Sequence, residues 1–175
     1  MRLVVVDRPR RAWCVAAVTL MVVLWMATAA VAGPRHRQWG GDVGVGVIAN
    51  TPDDAAGAVN GAFEWFVTDS VAVGPLMQLG FTGDLFQIGV SGQGKYWLSL
   101  PDDRMKLSFQ GGVGFVHADF QADDTSFLIP LGAGYHFWPS DSVAIGGVFL
   151  LNITDLDTGR DDTNVMPSFT FDVRF

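Results

Sequence analysis

From residue 39 onward, apolar and polar side chains alternate with a period of two, and the alternation holds to the last residue. In the closing stretch "SFTFDVRF" (168–175), Phe169, Phe171, Val173 and Phe175 fall on one face of a strand, and Ser168, Thr170, Asp172 and Arg174 on the other. Chain ends are usually frayed and polar, so a strict period here predicts a terminal strand held in a sheet. Polar clusters punctuate the rest at even spacing: "ANTPDDAAG" (49–57), "TDS" (68–70), "TGD" (82–84), "PDDR" (101–104), "QADDTS" (121–126), "PSDS" (139–142) and "TDLDTGRDDT" (154–163). These connections separate strands predicted at roughly 39–48, 58–67, 71–81, 85–100, 105–119, 127–138, 143–153 and 165–175. Pro75, Pro130 and Pro167 fall inside strands, where each removes a ladder hydrogen bond; bulges or shifted boundaries are expected there.

The chain repeats itself. "EWFVTDSVAVG" (64–74) and "YHFWPSDSVAIG" (135–146) share aromatics, a polar turn and an apolar restart, and "KYWLSLPDDRMKL" (95–107) is a looser copy. One hairpin unit used several times implies an antiparallel meander.

The two strand faces differ in bulk. One carries Val, Leu, Ile, Phe and Trp, among them Phe63, Trp65, Phe109, Phe115, Phe169 and Phe171. The other carries chiefly Gly, Ala, Ser, Gln and Thr. In a soluble barrel the bulky face would fill the interior, leaving an outer surface almost free of charge, unlike soluble surfaces. An eight-stranded lumen is just wide enough for side chains to fill and cannot hold so many large ones. The expected arrangement is therefore inverted, with bulky apolar groups outward toward lipid and small polar groups inward. Strand charges are few, and Asp42, Glu64, Lys95, Lys106, Asp172 and Arg174 all lie on the small face. With an even strand count they gather in the half of the lumen nearer the termini. There both signs are present, so an internal ion-pair network plugging the lumen is expected. Trp39, Trp65, Tyr96, Tyr135 and Phe175 are expected to form an aromatic girdle at that boundary.

Composition supports a membrane reading. Hydrophobic residues make up 49% and charged residues 17%, with 21 glycines in 175 residues. Residues 1–32 hold an arginine-bearing start, the run "CVAAVTLMVVLWMATAAVA" and a small-residue ending, read as a secretory signal cleaved after Ala32. Residues 33–38 form a short lead into a barrel spanning 39–175. Beyond Ala32 there are 7 basic and 17 acidic side chains, which excludes nucleic-acid binding on electrostatic grounds. The single cysteine, Cys14, lies in the signal, so no disulfide is available to the exported chain.

With this topology, the short turns on one side, the longer loops on the other and the terminal "FTFDVRF", residues 39–175 resemble the small eight-stranded outer-membrane barrels of Gram-negative bacteria, the OmpA/OmpX-like class. The resemblance implies an all-β, up-and-down transmembrane barrel. It implies a monomer exported through the Sec pathway to the outer membrane. Its partners would be outer-membrane lipid, lipopolysaccharide and, during insertion, the barrel-assembly machinery. Phe169, Phe171, Val173 and Phe175 match the C-terminal signal read by that machinery. The implied role is structural or one of surface interaction. The alternatives are a narrow channel or hydrophobic-compound carrier like the OmpW barrels, and a lipid A-modifying enzyme.

Candidate chemistry is sparse. His36 lies in "PRHRQW", and His117 lies at a strand end near Asp119, Thr125 and Ser126. His136 reads as a lumen or girdle group. Small lipid A deacylase barrels pair their histidine with a serine two residues on, where this chain has Asp119; no catalytic residues are assigned. "DLDTGRDD" places Asp155, Asp157 and Gly159 like a calcium loop but lacks the spacing and the closing glutamate. The other acidic loop residues, Asp53, Asp54, Asp123, Asp124, Asp161 and Asp162, read as solvated. No metal or cofactor is assigned.

Overall fold

The computed structural model describes residues 39–51, 54–120, 122–156 and 163–175. The signal, Ala32, His36, Asp53 and residues 157–162, with Asp157, Gly159, Asp161 and Asp162, lie outside the described residues. Eight strands follow in chain order: β1 (Trp39–Thr51), β2 (Asp54–Phe66), β3 (Val71–Phe81), β4 (Phe86–Ser99), β5 (Met105–Phe120), β6 (Ala122–Ser140), β7 (Val143–Thr154) and β8 (Thr163–Arg174). Each pairs antiparallel with the next, and β8 pairs back onto β1, closing a barrel. The terminal alternation is thereby explained. Gly40 lies opposite Arg174 and Val45 opposite Phe169. The Phe175 N–H donates to the Trp39 carbonyl at 2.9 Å, and the Trp39 N–H returns the bond at 3.3 Å.

Stepping sideways through bonded partners from Trp39 leads by way of Trp65, Val73, Gly94, Gly111, Leu131, Leu151 and Val165 back to β1 at Ala49, ten residues past the start. Over eight strands that stagger tilts each strand about 42° from the barrel axis. Both termini and the connections 67–70, 100–104 and 141–142 sit at one end, here the terminal end.

Outward positions are bulky and apolar. Val113 is 70% exposed and Phe115 71%; Phe109 and Phe171 also face out. Phe63, Phe109 and Phe171 therefore share no common interior, as the inverted arrangement expects. The inward face is less uniformly small and polar than its glycines suggest. Phe66, Trp97 and Trp138 fill the lumen at the terminal end, while Ile48, Leu76, Leu128, Leu150 and Met166 fill it toward the opposite end. Side chains this large fit because glycines lie across from them: a Cβ on Gly132 would meet Leu150 at 2.6 Å.

Two expected loops are mostly strand. β1 and β2 pair as far as Thr51 opposite Asp54, and β5 and β6 as far as Phe120 opposite Ala122. Of the connections opposite the termini, only 155–162 is long, so the expected contrast in loop length gives way to extended hairpins. The prolines sit neither at bulges nor at strand ends. Pairing breaks beside Pro75 in the β2–β3 ladder, beside Pro130 in β5–β6 and beside Pro167 in β1–β8, then resumes in the same register. Pro75 still lies opposite Gly92 on its other side. A missing N–H costs one ladder rung without moving the strand.

Candidate functional site

The repeat builds the lumen's terminal half. On β2, β4 and β6, each running down to a terminal-end turn, it places one polar inward residue, one outward aromatic and one inward aromatic. These triplets are Glu64-Trp65-Phe66, Lys95-Tyr96-Trp97 and His136-Phe137-Trp138. Three descending strands thus deliver three polar groups to one layer and three rings to the layer beneath it. The turns that follow are fixed by side-chain oxygens. Thr68 Oγ1 accepts from the N–H of Val71 at 3.0 Å, and Asp102 Oδ1 accepts from that of Arg104 at 3.0 Å. The turns in turn tie down the backbone at these residues: the main-chain N–H of Trp97 donates to Ser70 O at 2.7 Å, that of Trp138 to Arg104 O at 2.7 Å and that of Arg174 to Ser142 O at 2.8 Å.

The polar layer is a buried network in two parts. Lys95, 3% exposed, places Nζ 2.7 Å from Asp42 Oδ2 and also pairs with Glu64. Beside it, Asp172 Oδ2 lies 3.0 Å from His136 Nδ1, and His136 Nε2 lies 2.8 Å from Ser108 Oγ. Thr170 Oγ1 adds a bond to Asp172 Oδ2 at 3.3 Å. An ionised carboxylate only accepts, so Nδ1 carries a proton and, in the neutral ring, Nε2 accepts from the serine hydroxyl. That is the connectivity of a nucleophile–base–orienter relay. The relay is closed in: Ser108 and His136 have no exposed surface, and the Trp97 ring lies 4.7 Å from the imidazole at 59°.

The aromatic layer seals the terminal end. The Arg174 guanidinium sits 4.2 Å from the Phe66 ring centre, 4.5 Å from that of Trp138 and 4.9 Å from that of Trp97. Lys106 Nζ lies over Trp138 at 5.3 Å and Lys95 Nζ over Trp97 at 5.1 Å. Cations over ring faces are drawn by the ring quadrupole, more strongly where water is displaced. Further up, Gln78 and Asn152 exchange amide bonds of 3.1 and 2.8 Å across the lumen, and Asn152 also donates to Asn164 at 3.0 Å. The apolar cluster lies on both sides of this strut, with Leu76 and Leu150 nearer the terminal end than Gln78 and Asn152 on the same strands.

No protein-family profile matches the sequence, and no curated protein matches it. Solved structures do match. The N-terminal β-barrel domain of Pseudomonas aeruginosa OprF is 11% identical with a TM-score of 0.60, covering 78% of this chain and 97% of that one. Neisserial surface protein A is 14% identical with a TM-score of 0.57, covering 78% and 96%. The attachment invasion locus protein Ail of Yersinia pestis is 13% identical with a TM-score of 0.51, covering 78% and 96%. The chain has the fold of the small eight-stranded outer-membrane barrels. A looser match is the outer membrane enzyme PagL, 14% identical with a TM-score of 0.46, an overlap that bears on neither site nor activity.

Within this outer-membrane barrel fold, the charged residues singled out from sequence take three kinds of place. Asp42, Glu64 and Lys95 meet in one cluster, and Asp172 pairs with His136 instead. Lys106 and Arg174 lie against aromatic faces one layer lower. In the terminal signal, Phe169 and Phe171 are outward and exposed, whereas Val173 is 3% exposed. His117 lies on the wall near the opposite end, with Nδ1 2.8 Å from Thr125 Oγ1. Among the described residues, no three His, Asp or Glu side chains converge as metal ligands. Sequence reasoning missed Ser108, Phe66, Trp97 and Trp138 as parts of the site. The signal was in the repeat, whose two adjacent aromatics must point to opposite faces of a strand.

Proposed function

We propose that the mature chain is an integral outer-membrane barrel with a plugged lumen, serving a structural or surface-interaction role. The observation that carries this reading is the reversal of polarity between wall and axis. Val113 and Phe115 stand open at 70% and 71% exposure while Lys95, Glu64, Asp172 and Asp42 are at most 6% exposed. In water such a wall would aggregate. In a bilayer a closed barrel satisfies its backbone internally. On β5 the apolar outward run from Leu107 to Phe115, tilted about 42°, rises about 20 Å, close to the apolar band of such barrels. The exposed rings of Trp39, Trp65, Tyr96 and Tyr135 then mark the periplasmic boundary. Lipid and lipopolysaccharide surround the wall, and the barrel-assembly machinery reads the terminal strand. A surface role draws support from the names of two fold neighbours, a surface protein and an attachment invasion protein.

The test is fractionation followed by gel migration with and without boiling, then planar-bilayer recording. The expected results are an outer-membrane fraction, a heat-dependent band shift and no steady current. A band indifferent to boiling, or a steady open current, contradicts the proposal. The Ser108–His136–Asp172 connectivity supports a second reading, an acyl-transfer enzyme. A fluorophosphonate probe separates the two: the plugged barrel leaves Ser108 unlabelled, whereas labelling lost in Ser108→Ala favours the enzyme.

A further inference from the structure

The outer wall formed by β5 to β8 and β1 is not smooth. Across it runs a groove of about 620 Å³, from Leu107 and Tyr135 near the terminal end up to Val45 and Val47, a volume within the range of small-molecule sites. Its relief comes from two adjacent rows of bonded partners. In one row Gly147 stands between Tyr135 and Phe169; in the next Phe149 stands between Ala133 and Pro167. Ring and notch therefore alternate both along the rows and between them. The notches are open: a Cβ on Gly147 would meet only Ser168 O, at 3.8 Å. Rings around an unfilled notch forgo dispersion contacts on that side.

The foot of the groove is polar. The Tyr135 hydroxyl donates to Met105 Sδ at 2.8 Å, which leaves its oxygen able to accept. Beside Met105 is Arg104, whose carbonyl accepts from the main-chain N–H of Trp138 at 2.7 Å. The turn is thereby pinned between β5 and β6, where the groove begins. Asp102 Oδ1 is taken up by the Arg104 N–H at 3.0 Å, and the Asp103 and Arg104 side chains are exposed. One carboxylate and one guanidinium thus flank the entrance.

We propose that the groove holds an acyl chain of one phospholipid of the periplasmic leaflet, with a zwitterionic headgroup of phosphate and ammonium. Arg104 takes the phosphate through its planar fork, and Asp103 with the Tyr135 oxygen takes the ammonium. A flexible methylene chain bends around each ring in turn, whereas the convex wall of a second barrel would touch this one only along a narrow strip. An anionic headgroup without an ammonium would set like charge against Asp103. The inference rests on the reading of the chain as an outer-membrane barrel.

The test refolds the mature chain in micelles holding equal phosphatidylethanolamine and phosphatidylglycerol, checks it by heat-dependent migration and weighs it by native mass spectrometry. One retained phospholipid per chain is expected. Phosphatidylethanolamine should be favoured by about fivefold, the upper end of what one exposed ion pair supplies. Gly147→Leu and, separately, Ala133→Leu fill the notches and should abolish retention. Gly94→Leu adds the same bulk on β4, where a Cβ meets nothing within 4 Å, and should leave retention intact. Asp103→Asn should bring the two lipids to parity. Retention that survives both notch variants, or falls as far in Gly94→Leu, means unselective lipid around the wall and overturns the site. Equal retention of the two lipids by the native chain overturns the headgroup assignment. A mass of two chains without lipid makes the groove a self-association face and overturns the proposal as well. A chain with no heat-dependent shift fails earlier, against the membrane-barrel reading itself.

Discussion

Lys95 answers for two carboxylates at once. Its ammonium pairs with Asp42 and Glu64 in a layer from which water is shut out by Phe66, Trp97 and Trp138. Removing one partner from a buried pair leaves uncompensated charge, and such losses run to about 3–5 kcal/mol. Lys95→Met is expected to lose stability in that range, read by urea unfolding in lipid vesicles, while Lys95→Met/Asp42→Leu/Glu64→Leu recovers most of it. A single-variant loss under about 1 kcal/mol would show that water reaches the layer. The glycines around His136 give a sharper contrast. A Cβ on Gly134 would lie 2.6 Å from both Ser108 Oγ and His136 Nε2, whereas one on Gly94 meets nothing within 4 Å. Gly134→Ala should cost about 1–3 kcal/mol by displacing the imidazole, and Gly94→Ala about 0.5 kcal/mol or less, in the same unfolding assay. Equal effects would mean the ring has room to shift. The Asp42, Glu64 and Lys95 cluster could be foreseen because charge on a glycine-rich strand face has nowhere else to go. The Ser108–His136–Asp172 relay could not be. Its members sit on β5, β6 and β8, and which side chains meet across a lumen depends on stagger and radius, which strand periodicity does not encode.

Strand count, order and facing follow from the two-residue period, yet the strand ends do not. "ANTPDDAAG" has the composition of a loop, but β1 runs on to Thr51 and β2 begins at Asp54. Asn50 and Asp54 adopt positive φ of 65° and 61°, a backbone region that Asn and Asp enter more easily than most residues, and the strands continue on either side. Polar composition therefore marks where a hairpin leaves the apolar band, not where its ladder stops. At the other end, the seam between β1 and β8 is bridged by side chains as well as backbone. The Trp39 ring lies 5.3 Å from Phe63 and 5.9 Å from Trp65, and the Phe175 ring lies 6.5 Å from Phe63. The last residue thereby reaches across β1 to β2. Aromatic pairs of this kind are worth about 0.5–1.5 kcal/mol beyond the area they cover. Phe175→Ala should destabilise the closed barrel by about that amount when refolded into detergent with no assembly machinery present. Unchanged stability there, with impaired insertion in cells, would assign the ring to recognition alone.

At the scale of the whole barrel, the ladders are unequal. β4–β5 pairs without a break from Phe86 opposite Asp119 to Ser99 opposite Lys106, and β5–β6 continues from it with one interruption at Ile129–Pro130. The seam β1–β8 pairs over Gly40–Gly46 and then only at Ala49, and it joins the two strands farthest apart in sequence. β2–β3 is broken beside Pro75. Closing the ring carries the largest loop entropy of any rung, and it is done with a short, interrupted ladder. Opening should therefore begin at β1–β8 and spread through β2–β3, leaving β4–β6 as the last sheet to separate. Hydrogen exchange followed by mass spectrometry on the vesicle-embedded protein reads this order directly. Amides of β1 and β8 are expected to exchange first, those of β2 and β3 next, and those of β4 and β5 last. Uniform protection around the ring would mean that the lumen network, which ties Asp42 of β1 and Asp172 of β8 into the same layer as Lys95 of β4, holds the seam as firmly as its neighbours and that the barrel opens as one unit.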